Sequence, residues 1–253
     1  MGTKYGQNFL IDNTVADQII DALCLHEGDS VLEIGPGNGV LSQRILPRVK
    51  HFYAVEVDWR LAENIRSKFA GTGKLELFNM DFLKFDFAGL KGPVKLAANL
   101  PYYVATPIIE KILPATNWET AVFMLQKEVA DRICAGTDTK SYGVLSLVCQ
   151  HYAACETMLS CGPESFSPAP KVWSTVIKLT NRFQGAFDMS LLKVIRAAFS
   201  QRRKTILNAL SGSLNLPKET VNEALIRSGI TPSCRAENVS FKLFQSLTQN
   251  LNI

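Results

Sequence analysis

Ser30-Val31-Leu32-Glu33-Ile34-Gly35-Pro36-Gly37-Asn38-Gly39 decides how this chain folds. Its first five residues form a short, largely apolar run that reads as a buried strand. Glycines follow at alternate positions, 35, 37 and 39. They supply positive φ and let the backbone approach a ligand closely. A helical pattern then opens over Val40–Val49. The spacing is G-x-G-x-G, not the G-x-G-x-x-G of dinucleotide-binding folds.

The same alternation continues outward. Phe52–Val57, Leu75–Asn79, Val94–Asn99 and Ala121–Leu125 read as further buried parallel strands, with helices over Trp59–Phe69 and Thr106–Leu113. Strand–helix repetition predicts a doubly wound α/β sheet with right-handed crossovers. Cys155–Ser160 and Val172–Leu179 have no long helix between them and read as an antiparallel pair at a sheet edge. After a turn-rich segment, Asn181–Asp188, the pattern becomes helical over Ser190–Ser200, Arg202–Ser211, Lys218–Ser228 and Phe241–Leu251. Pro217 suits a first helical turn, and Ser240 suits an N-cap. The expected organisation is a ligand-binding α/β domain over residues 1–182 and a small all-helical domain over 183–253.

The 253 residues are 47% apolar and 20% charged, which excludes a disordered chain. No apolar run is long enough to span a membrane, and the N-terminus lacks a signal-peptide core. Six cysteines without a C-x-x-C pair and only three histidines argue against a metal site and for reduced thiols in the cytoplasm. Charge is uneven. Residues 1–180 carry 17 Lys and Arg against 19 Asp and Glu, whereas residues 181–253 carry 10 against 4. A basic C-terminal segment suits a polyanionic partner, or is simply a solvated charged face.

Polar residues recur at the ends of the predicted strands. Glu33 precedes the glycine loop, Glu56 closes the next strand, Asp81 follows the third and Asn99 ends the fourth. The carboxyl ends of parallel strands are where open α/β sheets bind ligands. A carboxylate at Glu56 can accept both hydroxyls of a ribose. Asp81 can take an adenine amine, with Met80 or Phe82 against the ring. Each residue alone also reads as a strand-end charge or a tight turn. In this order they describe a pocket for an adenosine-containing molecule. No P-loop or phosphate-binding lysine accompanies them, so S-adenosylmethionine fits better than ATP.

Asn99-Leu100-Pro101-Tyr102 follows the apolar run Val94-Lys95-Leu96-Ala97-Ala98. The Asn99 side-chain oxygen and the Leu100 carbonyl can each accept one N–H of an exocyclic amine. Pro101 fixes its own φ and pushes Leu100 towards an extended conformation. Tyr102 offers a face for stacking. The alternative is a plain Asn-x-Pro turn at a strand end.

With Gly6-Gln7-Asn8-Phe9-Leu10, Phe166-Ser167-Pro168-Ala169-Pro170-Lys171-Val172, Phe199-Ser200-Gln201-Arg202-Arg203-Lys204 and Arg235-Ala236-Glu237-Asn238, these motifs stand in an order that resembles the rRNA adenine N6,N6-dimethyltransferases. The likeness is greatest to the bacterial KsgA type and covers nearly the whole chain. It implies a Rossmann-like class I methyltransferase sheet and N6,N6-dimethylation of two adjacent adenosines in the 3′-terminal hairpin loop of 16S rRNA. The substrate would be a small ribosomal subunit or its precursor, the enzyme a cytoplasmic monomer with a role in subunit biogenesis.

The resemblance also implies residue roles. Asn8 and Leu10 would line the methionine end of the cofactor and Gly35 would contact it through its backbone. Glu56 would hold the ribose, Asp81 the adenine, and Asn99 would border the sulfonium. Tyr102 and Phe166 would sandwich the target base. Arg196, Arg202, Arg203 and Lys204 would contact phosphates, with Lys127 and Arg132 as weaker candidates. Three departures stand out: only Lys4 is basic before Gly6, Trp173 follows Lys171-Val172, and Tyr103 follows the N-L-P-Y motif where Asn is common. The alternatives are a 23S rRNA adenine N6-methyltransferase of the macrolide-resistance type, a ribosome-assembly binding factor, and a DNA adenine methyltransferase. The last is disfavoured by the small helical segment.

Overall fold

Helix α1 (Asn13–Leu23) illustrates how local chemistry sets the elements. The Asp12 carboxylate accepts the backbone N–H groups of Thr14 and Val15, at 2.9 and 3.2 Å, and so caps the helix. Ala16, Ile19, Ile20 and Leu23 recur at helical spacing and are buried. Cys24 ends the helix in the left-handed region at φ 49°. The computed structural model describes residues 7–182 and 185–253. Lys4, Gly6 and part of the Asn181–Asp188 turn lie outside the described residues.

In chain order the strands are β1 (Phe9–Leu10), β2 (Ser30–Ile34), β3 (His51–Glu56), β4 (Leu75–Asn79), β5 (Val94–Asn99), β6 (Trp118–Gln126), β7 (Ala153–Cys161), β8 (Phe166–Ser167) and β9 (Ser174–Asn181). Seven form one sheet, ordered β4-β3-β2-β5-β6-β9-β7. The first five in that order run parallel, and β9 and β7 are antiparallel at one edge. The chain runs from β2 outward to β4, then returns to the other side of β2 to form β5. The order therefore reverses between β2 and β5, the switch point at which such sheets open a crevice. The mixed α/β sheet, the antiparallel edge and the helical C-terminal segment are those expected from sequence.

The remaining helices are α2 (Ser42–Ile45), α3 (Trp59–Phe69), α4 (Ala105–Ile112), α5 (Lys127–Ile133), α6 (Val144–Tyr152), α7 (Met189–Phe199), α8 (Ile206–Leu214), α9 (Lys218–Arg227) and α10 (Phe241–Leu251). Two of the helices expected from sequence differ in extent, and α6 was not expected. The helix expected over Val40–Val49 is α2 followed by a 3-10 turn, Leu46–Arg48. Pro47 lacks the N–H that would continue the α pattern. The helix expected from Arg202 begins at Ile206, because Thr205 caps it by accepting the Asn208 N–H at 3.4 Å. Residues 201–204 form a turn closed by the Lys204 N–H on the Gln201 carbonyl, at 2.9 Å.

The chain divides into two compact units. The described residues of the first are 7–130 and 152–182; those of the second are 131–151 and 185–253. A single cut at 182 misses the crossing at 130/131. Residues 131–151 belong with the helical unit because their side chains are used there. The Tyr142 hydroxyl donates to the Val239 carbonyl at 3.1 Å, and the Asp138 N–H bonds the Glu237 carbonyl at 2.9 Å. Tyr142 and Leu147 share a buried cluster with Val194, Ile195, Leu210 and Phe244. In the first unit, Lys95 stands inside the apolar run of β5. Its ammonium is neutralised by Asp29 at 2.7 Å and also donates to the Cys24 carbonyl at 2.7 Å. A buried cation needs such pairing.

Candidate active site

A cavity of about 250 Å³ opens at the carboxyl ends of β2, β3 and β5. The glycine loop forms its floor. Gly35 follows β2 with φ at +64°, and its N–H donates to the Val55 carbonyl at 2.9 Å. A Cβ at Gly35 would meet no atom within 4 Å, so the space over its backbone is open. At Gly37, with φ at +56°, a Cβ would lie 3.2 Å from the Phe9 ring. The strap carrying β1 thus rests on this loop.

The strap is held from the far end of the first unit. β1 pairs antiparallel with β8, aligning Leu10 with Phe166. The Ser165 hydroxyl donates to the Asp12 carboxylate at 3.1 Å, and the Ile11 N–H donates to the Ser165 carbonyl at 2.9 Å. Asn8 and Leu10 consequently stand in the cavity wall, along with Gln7 and Phe9.

Glu56 closes β3 and is buried. One carboxylate oxygen accepts the Gly37 N–H at 3.2 Å and the other the Asp58 N–H at 2.9 Å. Burial raises its pKa, and those backbone donors oppose the rise. Each oxygen retains a lone pair for a further donor. Glu33 is also buried, and burial raises its pKa to about 8. The Ser42 hydroxyl donates to it at 2.6 Å. Asp81 lies across the cavity from the glycine loop's strand, capping a 3-10 turn through the Leu83 N–H at 2.9 Å. Met80 and Phe82 flank it in the wall.

The Asn99 corner completes the enclosure. The Asn99 amide nitrogen donates to the Asn8 carbonyl at 2.9 Å. The Leu100 N–H donates to the Met124 carbonyl at 2.9 Å, while the Val104 N–H closes a turn on the Pro101 carbonyl at 3.1 Å. The Tyr102 hydroxyl hydrogen-bonds the Ser174 hydroxyl at 2.9 Å. Burial raises the Tyr102 pKa, so the phenol stays neutral.

Two expected placements differ. Phe166 is 3% exposed and belongs to the hydrophobic core with Leu10, Met124 and Val176, not to the cavity wall. Its alignment with Leu10 across the β1–β8 pair turns the ring inward. Arg202, Arg203 and Lys204 lie on the turn before α8 and not within a helix; with Arg196 on α7 they are exposed in the second unit. Sequence alone gave no role to Gln7 or Ser42 and no wall position to Tyr103. Ser42 sits nine residues after Glu33 on a separate helix, a pairing that spacing alone does not announce.

The description "Ribosomal RNA adenine dimethylase" belongs to a family whose pattern matches residues 1–252. The chain belongs to this family. Among its relatives is the Ribosomal RNA small subunit methyltransferase A of Clostridium botulinum (strain Loch Maree / Type A3), 40% identical over 251 residues, covering 96% of this chain and 91% of the relative. A solved dimethyladenosine transferase from Plasmodium falciparum superposes with a TM-score of 0.82 at 25% identity, covering 96% of this chain and 97% of that one. The 23S rRNA methyltransferase ErmE superposes with a TM-score of 0.76 at 25% identity, covering 97% and 100%. As a ribosomal RNA adenine dimethylase, the protein is an S-adenosylmethionine-dependent rRNA methyltransferase. The dimethylase cavity suits that cofactor: open space above the Gly35 backbone, a buried carboxylate at Glu56 and a carboxylate with apolar neighbours at Asp81. Among the described residues, no helix is long and apolar enough to cross a membrane.

Proposed function

We propose that this enzyme dimethylates N6 of two adjacent adenosines in the 3′-terminal hairpin loop of 16S rRNA. It acts as a cytoplasmic monomer on a small ribosomal subunit or its precursor, and so takes part in subunit biogenesis. Its likeness to ribosomal RNA small subunit methyltransferases and the geometry at Asn99 support this reading. The observation that carries it is the Asn99–Asn8 hydrogen bond. A carbonyl only accepts, so the bond assigns the amide nitrogen to Asn8 and leaves Oδ1 as the group that can accept from a ligand in the cavity that Asn99 lines.

S-adenosylmethionine, when bound, supplies an electrophilic methyl group on its sulfonium. Glu56 holds the ribose hydroxyls and Asp81 the adenine amine, while Asn8, Leu10 and Gly35 bound the methionine end. The target amine is a poor nucleophile because its lone pair is delocalised into the ring. Asn99 Oδ1 and the Leu100 carbonyl accept its N–H groups and favour a pyramidal nitrogen with an available lone pair. Their attraction grows as positive charge develops on nitrogen, so they lower the barrier and do not merely bind. No strong general base is required, since the proton can leave after transfer.

The target base must leave its stack to reach this corner. Tyr102 offers it a ring anchored through its hydroxyl on Ser174. Phe166 would join only if the strap moved, since here it is core. In the second unit, Arg196, Arg202, Arg203 and Lys204 are exposed cations suited to phosphates. RNA loops are recognised chiefly by shape and splayed bases, so these cations position the substrate.

The test is incubation with purified small and large subunits and isotopically labelled cofactor, followed by mass spectrometry of the rRNA. Two dimethylated adjacent adenosines in 16S rRNA are expected. Label confined to the large subunit would overturn the reading in favour of the macrolide-resistance type.

A further inference from the structure

Two large aromatic side chains stand in water beside the amine corner. Tyr103 is 63% exposed and lies in the cavity wall; Trp173 is 55% exposed. They lie 70 positions apart in sequence. The fold brings them to the same end of the sheet. β5 and β9 flank β6, with Asn99 aligned to Met124 and Gln126 to Ser174. The Tyr102–Ser174 hydrogen bond then ties the residue beside Tyr103 to the residue beside Trp173. The Trp173 carbonyl is itself fixed by the Lys127 N–H at 2.9 Å. Both residues nevertheless stay more than half exposed.

Resting on the proposed rRNA substrate, we infer that Tyr103 and Trp173 form an aromatic rim on which nucleotides flanking the target adenosine stack. A base drawn into the Asn99 corner loses stacking with its neighbours. Those neighbours then present unstacked faces at the cavity mouth, where Tyr103 stands. Stacking on aromatic side chains tolerates any base, because every base has a π face. Lys171, two residues before Trp173, is exposed, which suits a phosphate-bearing strand.

The test compares wild type, Tyr103→Ala, Trp173→Ala, the double alanine variant, Tyr103→Phe and Trp173→Phe on undermethylated small subunits. Methyl transfer is measured as KM and kcat for the particle, with cofactor Kd and Tm for each variant. Each alanine variant should lower kcat/KM about tenfold, mainly through KM, as loss of one base–aromatic stack implies. The phenylalanine variants should recover most of that loss, which a hydrogen-bonding or folding role would not permit. If the double alanine variant keeps the wild-type KM, the rim does not bind RNA and the inference fails while the substrate reading stands. If the wild-type protein transfers no methyl to small subunits, both fail together.

Discussion

The Asn99 amide nitrogen donates to the backbone carbonyl of Asn8 at 2.9 Å, so the strap residue decides which way the corner residue faces. A backbone carbonyl cannot be deleted by substitution, which makes the orientation robust to the identity of residue 8. The side chain at residue 99 is not replaceable in the same way.

Asn99→Ala should abolish detectable methyl transfer while cofactor Kd changes by less than about tenfold, because Glu56 and Asp81 remain. Calorimetry and transfer of labelled methyl from the cofactor to small subunits would measure the two. Normal turnover in this variant would rule out the proposed acceptor role. Asn99→Asp keeps an acceptor but loses the N–H to Asn8, so it should bind cofactor and turn over far more slowly than wild type.

Tyr102 and Ser174 should behave as one unit. Tyr102→Phe keeps the ring and removes the hydroxyl, leaving the buried Ser174 hydroxyl without that partner. A loss of about 1–2 kcal/mol is expected from either Tyr102→Phe or Ser174→Ala. In a double-mutant cycle by chemical denaturation the two losses should be clearly less than additive. Additive losses would mean that the hydrogen bond contributes little.

Glu33 makes stability depend on pH in an unusual direction for a carboxylate. Its pKa is about 8 folded against an ordinary 4.5, with burial the main cause. Between those values the native state binds a proton that the unfolded chain has released. Native stability therefore falls as pH rises from about 4.5 to about 8. Glu33→Gln removes the titrating group and keeps an acceptor for Ser42. Its Tm should decline less than that of wild type between pH 5 and pH 8 in thermal scans without cofactor, the two proteins being most alike at the acid end. Parallel declines would show that Glu33 does not carry the effect.

Replacing Arg202, Arg203 and Lys204 together by alanine should weaken RNA binding and flatten its salt dependence. The log–log slope should fall by roughly 0.7 for each single-strand phosphate that the variant no longer neutralises. Filter binding at several ionic strengths would read it, and an unchanged slope would exclude the patch.

Much of the sheet was legible because its strands are continuous apolar runs bounded by turns. β2, β4 and β5 begin and end where the sequence places them, as does α3, whose Asp58 cap and buried Ala62, Ile65 and Phe69 mark both its start and its face. Pro47 and Thr205 each moved a helix boundary through a local effect that amphipathic spacing overlooks. Glu56 and Asn99 end strands and Asp81 follows one by two residues, so the sequence already puts all three near one rim, and all three line the cavity. Phe166 was not, because its motif fixes its place in sequence but its burial depends on pairing with Leu10. Residues 131–151 join the helical unit through partners such as Val239 and Glu237, about a hundred positions away for Tyr142 and Val239. No local pattern encodes that choice.

The β1–β8 strap also sets an order of events during synthesis. The glycine loop, Glu56, Asp81 and Asn99 all emerge within the first hundred residues, yet the groups that pin the strap, such as Ser165 to Asp12, are separated by 153 positions. A chain that stops short of β8 carries each cavity-lining residue but lacks the β8 pairing and the Ser165 hydrogen bond that hold the strap from its other side. The strap thus gains its full set of contacts only from residues that follow most of the first unit in sequence.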